Sequence, residues 1–217
     1  MVEIYAINVS SDICKYENHL LTRLSRECRI RCEDIKNKQR RVQFLVGRNL
    51  LFYILGNIIG QKLDNELFYT KLGKPMFINN PWNFNLAHSD DWVICAVSKR
   101  EVGIDIERVD KVSGSKYIKQ ASEIFIENVQ SLDYLSLKEE PYFWTLRESY
   151  AKMKGLSFEQ WINNTSFINK ISEDVLSNEQ HIFIKEFRCI KGYAITCCAY
   201  ENIYSDIKIV PLDDLLK

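Results

Sequence analysis

The sequence predicts an α+β fold made of two similar halves, and three observations predict it. Each half carries a long helical segment. Each then carries a strand pair that ends in a small, buried, cysteine-bearing strand: Trp92 to Ser98 (WVICAVS) in the first, Tyr193 to Tyr200 (YAITCCAY) in the second. Between them lies Val102-Gly103-Ile104-Asp105-Ile106-Glu107, whose alternation puts Ile104 and Ile106 on one face and Asp105 and Glu107 on the other. The likeness of the halves is one of pattern, not identity. It implies two pseudo-symmetric α+β subdomains, residues 1–108 and 109–217, packed face to face. The acidic strand would lie at their interface, a place ligands favour.

The elements follow in chain order. Met1 to Ala6 alternates like a strand and lacks the basic-then-apolar profile of a signal peptide. Tyr16 to Cys32 spaces Leu20, Leu21, Leu24 and Cys28 as one helix does. Gln39 to Ile59 is apolar on nearly every face, which predicts a helix central to the core, with Gly47 permitting close approach. Leu72-Gly73-Lys74-Pro75 reads as a turn. Trp82 to His88 and Trp92 to Ser98 read as strands joined by a turn at Asp90-Asp91, and the acidic strand continues them as a meander. Lys111 to Lys116 (KVSGSK) has linker composition, and Tyr117 to Glu127 carries a helical apolar stripe. Ser136-Leu137-Lys138-Glu139 has the form of a capping box. It would open a helix through Phe143 to Lys154, with Pro141 in the first turn and Gly155 as the stop. Strands over Gln180 to Cys189 and Tyr193 to Tyr200 follow, then a strand and a short helix between Ile207 and Leu216.

Composition excludes several function classes. Lysine plus arginine and aspartate plus glutamate both number 29, so no net field draws the chain to nucleic acid or a membrane surface. Any basic site must be local. Seven cysteines are an odd number without disulfide-framework spacing, and three histidines (His19, His88, His181) argue against a structural zinc site. No apolar run reaches membrane-spanning length. A soluble cytoplasmic protein with reduced cysteines is expected, and pseudo-symmetry within one chain favours a monomer.

Candidate chemistry lies in the polar residues that break these patterns. Asp105 and Glu107 stand side by side on a strand whose other face is oily, and like charges so close call for a positive partner. Two readings are open: an edge strand with a wet acidic face, or half of a magnesium site, since magnesium takes carboxylate and phosphate oxygens. Glu148 and Lys152, four apart on the later helix, form either a solvated ion pair or the third acid and a cation of such a site, with Arg147 beside them. Arg41 and Arg48, seven apart on one helix face, are either a basic helix end or a phosphate cradle. His88, at a strand end one turn and one strand before the carboxylates, is either incidental or part of the site. Together, Asp105, Glu107 and Glu148 with Arg147 and Lys152 can hold magnesium and its phosphates, while Arg41, Arg48, Lys74 and His88 can hold others. A ligand with a pyrophosphate and a separate phosphate monoester would suit both sets.

The strand Val102 to Glu107, followed by Phe143-Trp144-Thr145-Leu146-Arg147-Glu148-Ser149-Tyr150-Ala151-Lys152, resembles the paired signatures of the 4′-phosphopantetheinyl transferases. Those signatures read G-[IV]-D-[IV]-E and W-x-x-K-E-[AS]-x-x-K, and the match is closest to the monomeric, surfactin-synthetase-activating type. The resemblance extends to Arg40 through Arg48, to Gly73-Lys74-Pro75 and to Phe84 through Ser89, so it covers most of the chain in order. Two positions depart from it. Arg147 stands where the family usually has lysine, which keeps the charge and changes the donor geometry. Ala87 replaces the first serine of F-N-x-S-H-S, removing a hydroxyl that could touch phosphate.

The resemblance implies transfer of the phosphopantetheine arm of coenzyme A to a serine of an apo acyl or peptidyl carrier protein. Adenosine 3′,5′-bisphosphate would be released, with no covalent enzyme intermediate. It implies that Asp105, Glu107 and Glu148 ligate magnesium, that Arg147 and Lys152 steady the pyrophosphate, and that Glu148 is the base, directly or through a metal-bound water. It implies His88 and Arg41 at the 3′-phosphate, Arg48 either there or bracing its helix, and Gly73-Lys74-Pro75 along the adenine. Residues 1–108 would then be the nucleotide side, and 109–217 the side of the metal-binding helix and the pantetheine. Two rival functions fit the same residues: a magnesium-dependent phosphohydrolase of a nucleotide or coenzyme, and a non-catalytic coenzyme A or carrier-binding module. Tyr117 to Leu135 offers either a carrier-docking surface or a core-facing stripe.

Overall fold

Alternation along the strands decides how the protein is layered in the computed structural model, which describes residues 1–9, 11–58, 60, 67–70, 73–77, 81–112, 119, 122–123, 125, 139–161, 165–179 and 181–217. The chain order is β1 (Glu3–Asn8), α1 (Glu17–Thr22), α2 (Arg26–Asp34), α3 (Lys38–Tyr53), β2 (Leu67–Tyr69), β3 (Pro75–Phe77), β4 (Asn83–Ser89), β5 (Trp92–Ser98), β6 (Val102–Arg108), α4 (Val109–Val112), α5 (Glu140–Lys154), α6 (Phe158–Trp161), α7 (Thr165–Leu176), β7 (Phe183–Phe187), β8 (Tyr193–Ala199), β9 (Lys208–Ile209) and α8 (Leu212–Leu216). The fold is mixed α+β. One sheet has the order β4-β5-β1-β9, another β6-β8-β7, and β2 pairs with β3.

Period two then stacks the layers. Ile4, Ala6, Ile94 and Ala96 of the first sheet meet Ile104, Ile106, Ile195 and Cys197 of the second in one apolar cluster. The intervening residues Tyr5, Ile7, Val93 and Cys95 pack instead on Leu45, Leu50 and Leu51 of α3. On the far side, Ala194 and Cys198 pack on Phe143, Leu146 and Tyr150 of α5 and on Ile168 and Ile171 of α7. The order of layers is helix, sheet, sheet, helix. No helix among the described residues is long and apolar enough to cross a membrane.

Several expectations are corrected. The acidic strand does not continue a meander: β6 leaves the first sheet and pairs antiparallel with β8 along its whole length, Val102 opposite Ala199 and Arg108 opposite Tyr193. Residues 102–108 therefore belong to the later sheet, while β9 pairs with β1. The helix expected over Tyr16 to Cys32 is two helices, because Ser25 caps the second, its side chain accepting from the Cys28 N–H. Helix α7 was not anticipated, although Phe167, Ile168, Ile171 and Val175 form a buried stripe at helical spacing. Helix α5 keeps Pro141 in its first turn and ends at Gly155, at φ +69°. The proposed cap residues Ser136 to Lys138, most of the linker from Lys111 to Lys116 and most of the helix from Tyr117 to Glu127 lie outside the described residues.

The edges of β4 and β6 lie side by side and are joined through side chains. Asn85 Oδ1 accepts from the Ile104 N–H at 2.9 Å, and Ser89 Oγ accepts from the Arg108 N–H at 3.2 Å.

Candidate active site

Helix α5 crosses β6 at Gly103. A Cβ there would stand 1.9 Å from the Ser149 carbonyl oxygen and 2.6 Å from the Met153 nitrogen, so glycine alone lets the helix backbone lie on the strand. The close approach expected at Gly47 is absent by comparison, since a Cβ there would meet its nearest atom at 3.4 Å. Residues 103, 105 and 107 share the face toward α5, and Glu148 and Lys152 each precede a helix residue that touches Gly103. Asp105, Glu107 and Glu148 consequently offer ligating atoms within 4.8 Å of one another.

The cluster is short of positive charge. Asp105 is 2% exposed, and Lys152 Nζ donates to its Oδ1 at 2.5 Å. Among the described residues its buried Oδ2 has no hydrogen-bond partner. Burial pushes the Asp105 carboxyl well above the usual carboxylate range; Lys152 opposes that shift and Glu148 adds to it. Glu107 is raised by burial and then by Glu148, against a 3.1 Å hydrogen bond from Ser89. For Lys152, burial favours the neutral amine, but Asp105, Glu148 and Glu107 outweigh it and hold the ammonium above its ordinary value. Among the described residues the three acids share the Lys152 ammonium, and Lys111 acts on Glu107 more weakly. A compact set of carboxylate oxygens with an orphaned acceptor fits a hard divalent cation such as magnesium.

A cavity of about 570 Å³ adjoins the cluster, lined in part by Arg40, Gln43, Phe44, Arg48, Pro75 and His88. Its volume is that of a small-molecule site. Arg48 is 5% exposed and donates through Nη2 to the Tyr69 hydroxyl at 3.4 Å, while its Nε and Nη1 have no partner among the described residues. At the rim, lost hydration and then the charge of Lys152 hold the His88 imidazole below its ordinary pKa. His88 therefore lies within the field of the acidic cluster.

The expected ligands divide. Asp105, Glu107, Glu148 and Lys152 come together, as do Arg48, Pro75 and His88. Arg41 turns away to Glu17 at 3.2 Å and the Ile35 carbonyl at 3.5 Å, and Arg40 takes the place at the cavity. Gly73, at φ +79°, makes the turn, and Lys74 Nζ donates to the carbonyls of Lys152 and Met153 at 2.7 and 3.5 Å, at the end of α5. Arg147 is corrected outright: it has no exposed surface, donates through Nη2 to the Trp161 carbonyl at 2.7 Å and stacks 5.3 Å from the Trp161 ring. Its guanidinium braces α5 against α6 and does not face the carboxylates. Ala87 borders the cavity yet is 4% exposed and packs within the apolar cluster between the sheets. Sequence reasoning missed the parts played by Asn85, Ser89 and Gly103. A glycine in the middle of an apolar strand was the available signal for the last.

No family model matches the chain. Similarity to individual proteins runs its whole length. The 4′-phosphopantetheinyl transferase gsp of Aneurinibacillus migulanus is 28% identical over 98% of this chain and 92% of its own. The 4′-phosphopantetheinyl transferase Sfp of Bacillus subtilis (strain 168) is 25% identical over 99% of this chain and all of its own length. The 4′-phosphopantetheinyl transferase psf-1 of Bacillus pumilus is 31% identical over 60% of this chain and 56% of its own. End-to-end likeness to relatives that carry one enzyme name, in a chain whose strand and helix acids converge, supports one family: throughout its length the chain is similar to 4′-phosphopantetheinyl transferases of the Sfp type.

Proposed function

We propose that this enzyme transfers the 4′-phosphopantetheine moiety of coenzyme A to a serine of an apo acyl or peptidyl carrier protein, with magnesium, releasing adenosine 3′,5′-bisphosphate. The observation that carries this reading is the meeting of Asp105, Glu107 and Glu148 within 4.8 Å, beside Lys152 and next to a cavity with buried cationic donors. Asp105, Glu107 and Glu148 would hold the magnesium. Bound there, the ion would neutralise charge on the pyrophosphate as the leaving bond breaks. Lys152 offers its ammonium to the same oxygens. Glu148, half-buried at the edge of the cluster, takes the proton of the carrier serine as its Oγ bonds to phosphorus and the bond to the bisphosphate oxygen breaks.

In the same reading the nucleotide occupies the cavity. His88, Arg40 and the two Arg48 nitrogens that lack a partner among the described residues face its phosphates, and Pro75 lies against the adenine. Residues 1–108 and 109–217 act as two related lobes, nucleotide side and metal-helix side, with the site at their interface and β6 as the strand between them. A self-contained pair of lobes needs no second copy, and we read the enzyme as a cytoplasmic monomer without nucleic-acid or membrane partners.

The test is incubation with coenzyme A and a panel of apo carriers, with magnesium or with EDTA, read by mass spectrometry. A phosphopantetheine-sized gain on a carrier that vanishes in EDTA is expected. Release of nucleotide without a labelled carrier would point to a phosphohydrolase instead, and binding without turnover to a non-catalytic module. Glu148→Gln should lower transfer by roughly 10²–10³-fold with the far-ultraviolet circular dichroism unchanged; undiminished transfer would remove Glu148 from its role.

A further inference from the structure

Ser89 sits where the two edge strands meet, and both ends of its hydroxyl are spoken for. The Arg108 N–H can only donate, and it donates to Ser89 Oγ at 3.2 Å. The single hydroxyl proton is therefore left for Glu107 Oε2, 3.1 Å away. Ser89 is 7% exposed, so water does not readily compete for that geometry.

The turn that follows holds Ser89 in place. Asp90 adopts φ +45°, a left-handed conformation unusual for a residue with a side chain. Its carbonyl accepts from Gln43 Nε2 at 2.8 Å and from Gln39 Nε2 at 3.3 Å, both on α3. Its carboxylate accepts from Arg108 Nη1 at 3.3 Å and from Lys111. The turn is thus anchored to the cavity helix on one side and to the end of β6 on the other.

We propose that Ser89 is a positioning residue that fixes the orientation of the Glu107 carboxylate and so sets the affinity of the acidic cluster for a divalent cation. Ligating carboxylates are themselves commonly held by hydrogen bonds, and loss of such a partner lowers metal affinity roughly 10–100-fold. This inference rests on the metal-site reading above. A plain strand staple would make a different claim: removing the hydroxyl would loosen the β4–β6 edge and weaken every ligand alike.

The experiment uses Mn²⁺ as the probe, counted by electron paramagnetic resonance on the full chain without coenzyme A. Wild type should bind one Mn²⁺, and Glu107→Gln should weaken that binding strongly. Ser89→Ala should weaken it roughly 10–100-fold, and Ser89→Thr, which keeps the hydroxyl, should recover most of the loss. Affinity of Ser89→Ala for adenosine 3′,5′-bisphosphate in EDTA should stay within about twofold, since the cavity keeps its donors. Unchanged Mn²⁺ affinity in Ser89→Ala overturns the inference while leaving the metal site standing. Parallel loss of Mn²⁺ and bisphosphate binding overturns it in favour of the staple. A wild-type protein that binds no Mn²⁺ overturns the metal-site reading, and this inference with it.

Discussion

The acidic cluster and the cavity adjoin at His88-Ser89, yet they are built in opposite ways. The cluster draws on carboxylates from a strand and a helix whose backbones touch at Gly103, so their positions follow from the main chain. The cavity draws on long basic side chains from α3, whose charged ends depend on several freely rotating bonds. Both contain buried polar atoms without a hydrogen-bond partner among the described residues, Asp105 Oδ2 in one and Arg48 Nε and Nη1 in the other. The orphans are of opposite sign, as a cation and a phosphate would require. The difference teaches that the cluster should fail abruptly when the backbone crossing is disturbed, and the cavity by degrees.

The largest effect should come from two glycines. Gly103→Ala puts a methyl group 1.9 Å from a backbone oxygen, with no flexible side chain to yield, and should cost at least about 3 kcal/mol in chemical denaturation. Gly47→Ala, on the cavity helix, meets only side-chain atoms at 3.4 Å and beyond and gains helix propensity, so it should stay within about 1 kcal/mol of wild type. Equal losses at the two positions would mean that the crossing is no tighter than the helix packing beside the cavity.

Next come two cations five residues apart on α5. Lys152→Ala should lower transfer roughly 10²–10³-fold, because it removes the ammonium that donates to Asp105. Arg147→Ala should act mainly on stability. It should cost about 3 kcal/mol of stability by removing a fully buried brace, with the specific activity of the folded fraction within a few-fold of wild type. Steady-state kinetics beside urea melts decide between them, and an Arg147 variant that folds normally but is catalytically dead would restore Arg147 to the pyrophosphate.

How far the sequence can be read depends on the same contrast. Asp105 and Glu107 alternate with Ile104 and Ile106, and Glu148 and Lys152 are four apart, so local periods of two and of about four already put the right groups on shared faces. The layer order follows from the same periods. What they cannot supply is which face of a helix finds which neighbour. Arg147 reads like a partner of Glu148, but α6 and α7 stand on its side of the helix, and Trp161 and Phe167 enclose it. Arg41 and Arg40 are adjacent, and only the docking of α1, which brings Glu17 to Arg41, decides which of them faces the cavity. The move of β6 to the other sheet was equally illegible, because its pairing with β8 joins residues about ninety positions apart.

A smaller effect is expected at the cavity rim. His88→Ala removes one of several groups that would face a phosphate in the proposed reading, so the KM for coenzyme A should rise about tenfold with kcat little changed. A fall in kcat instead would mean that His88, already in the field of Lys152, belongs to the cluster rather than the cavity.

The smallest effect separates the two regions most finely. By family pattern, Ala87 lacks a serine hydroxyl beside His88, and restoring it ought to tighten nucleotide binding if residue 87 served the cavity. Its position says otherwise. Leu86 packs toward the α3 side and Ala87 toward Ile94, Ala96 and Ile104 between the sheets. A hydroxyl placed there enters an apolar cluster and finds little to bond to except its own strand. Ala87→Ser should therefore cost about 1 kcal/mol of stability and leave the KM for coenzyme A within about twofold, by the same melts and kinetics. A KM several-fold lower with stability unchanged would show that the cavity reaches through β4 to the face of the strand that carries Ser89, and that the two regions share a wall.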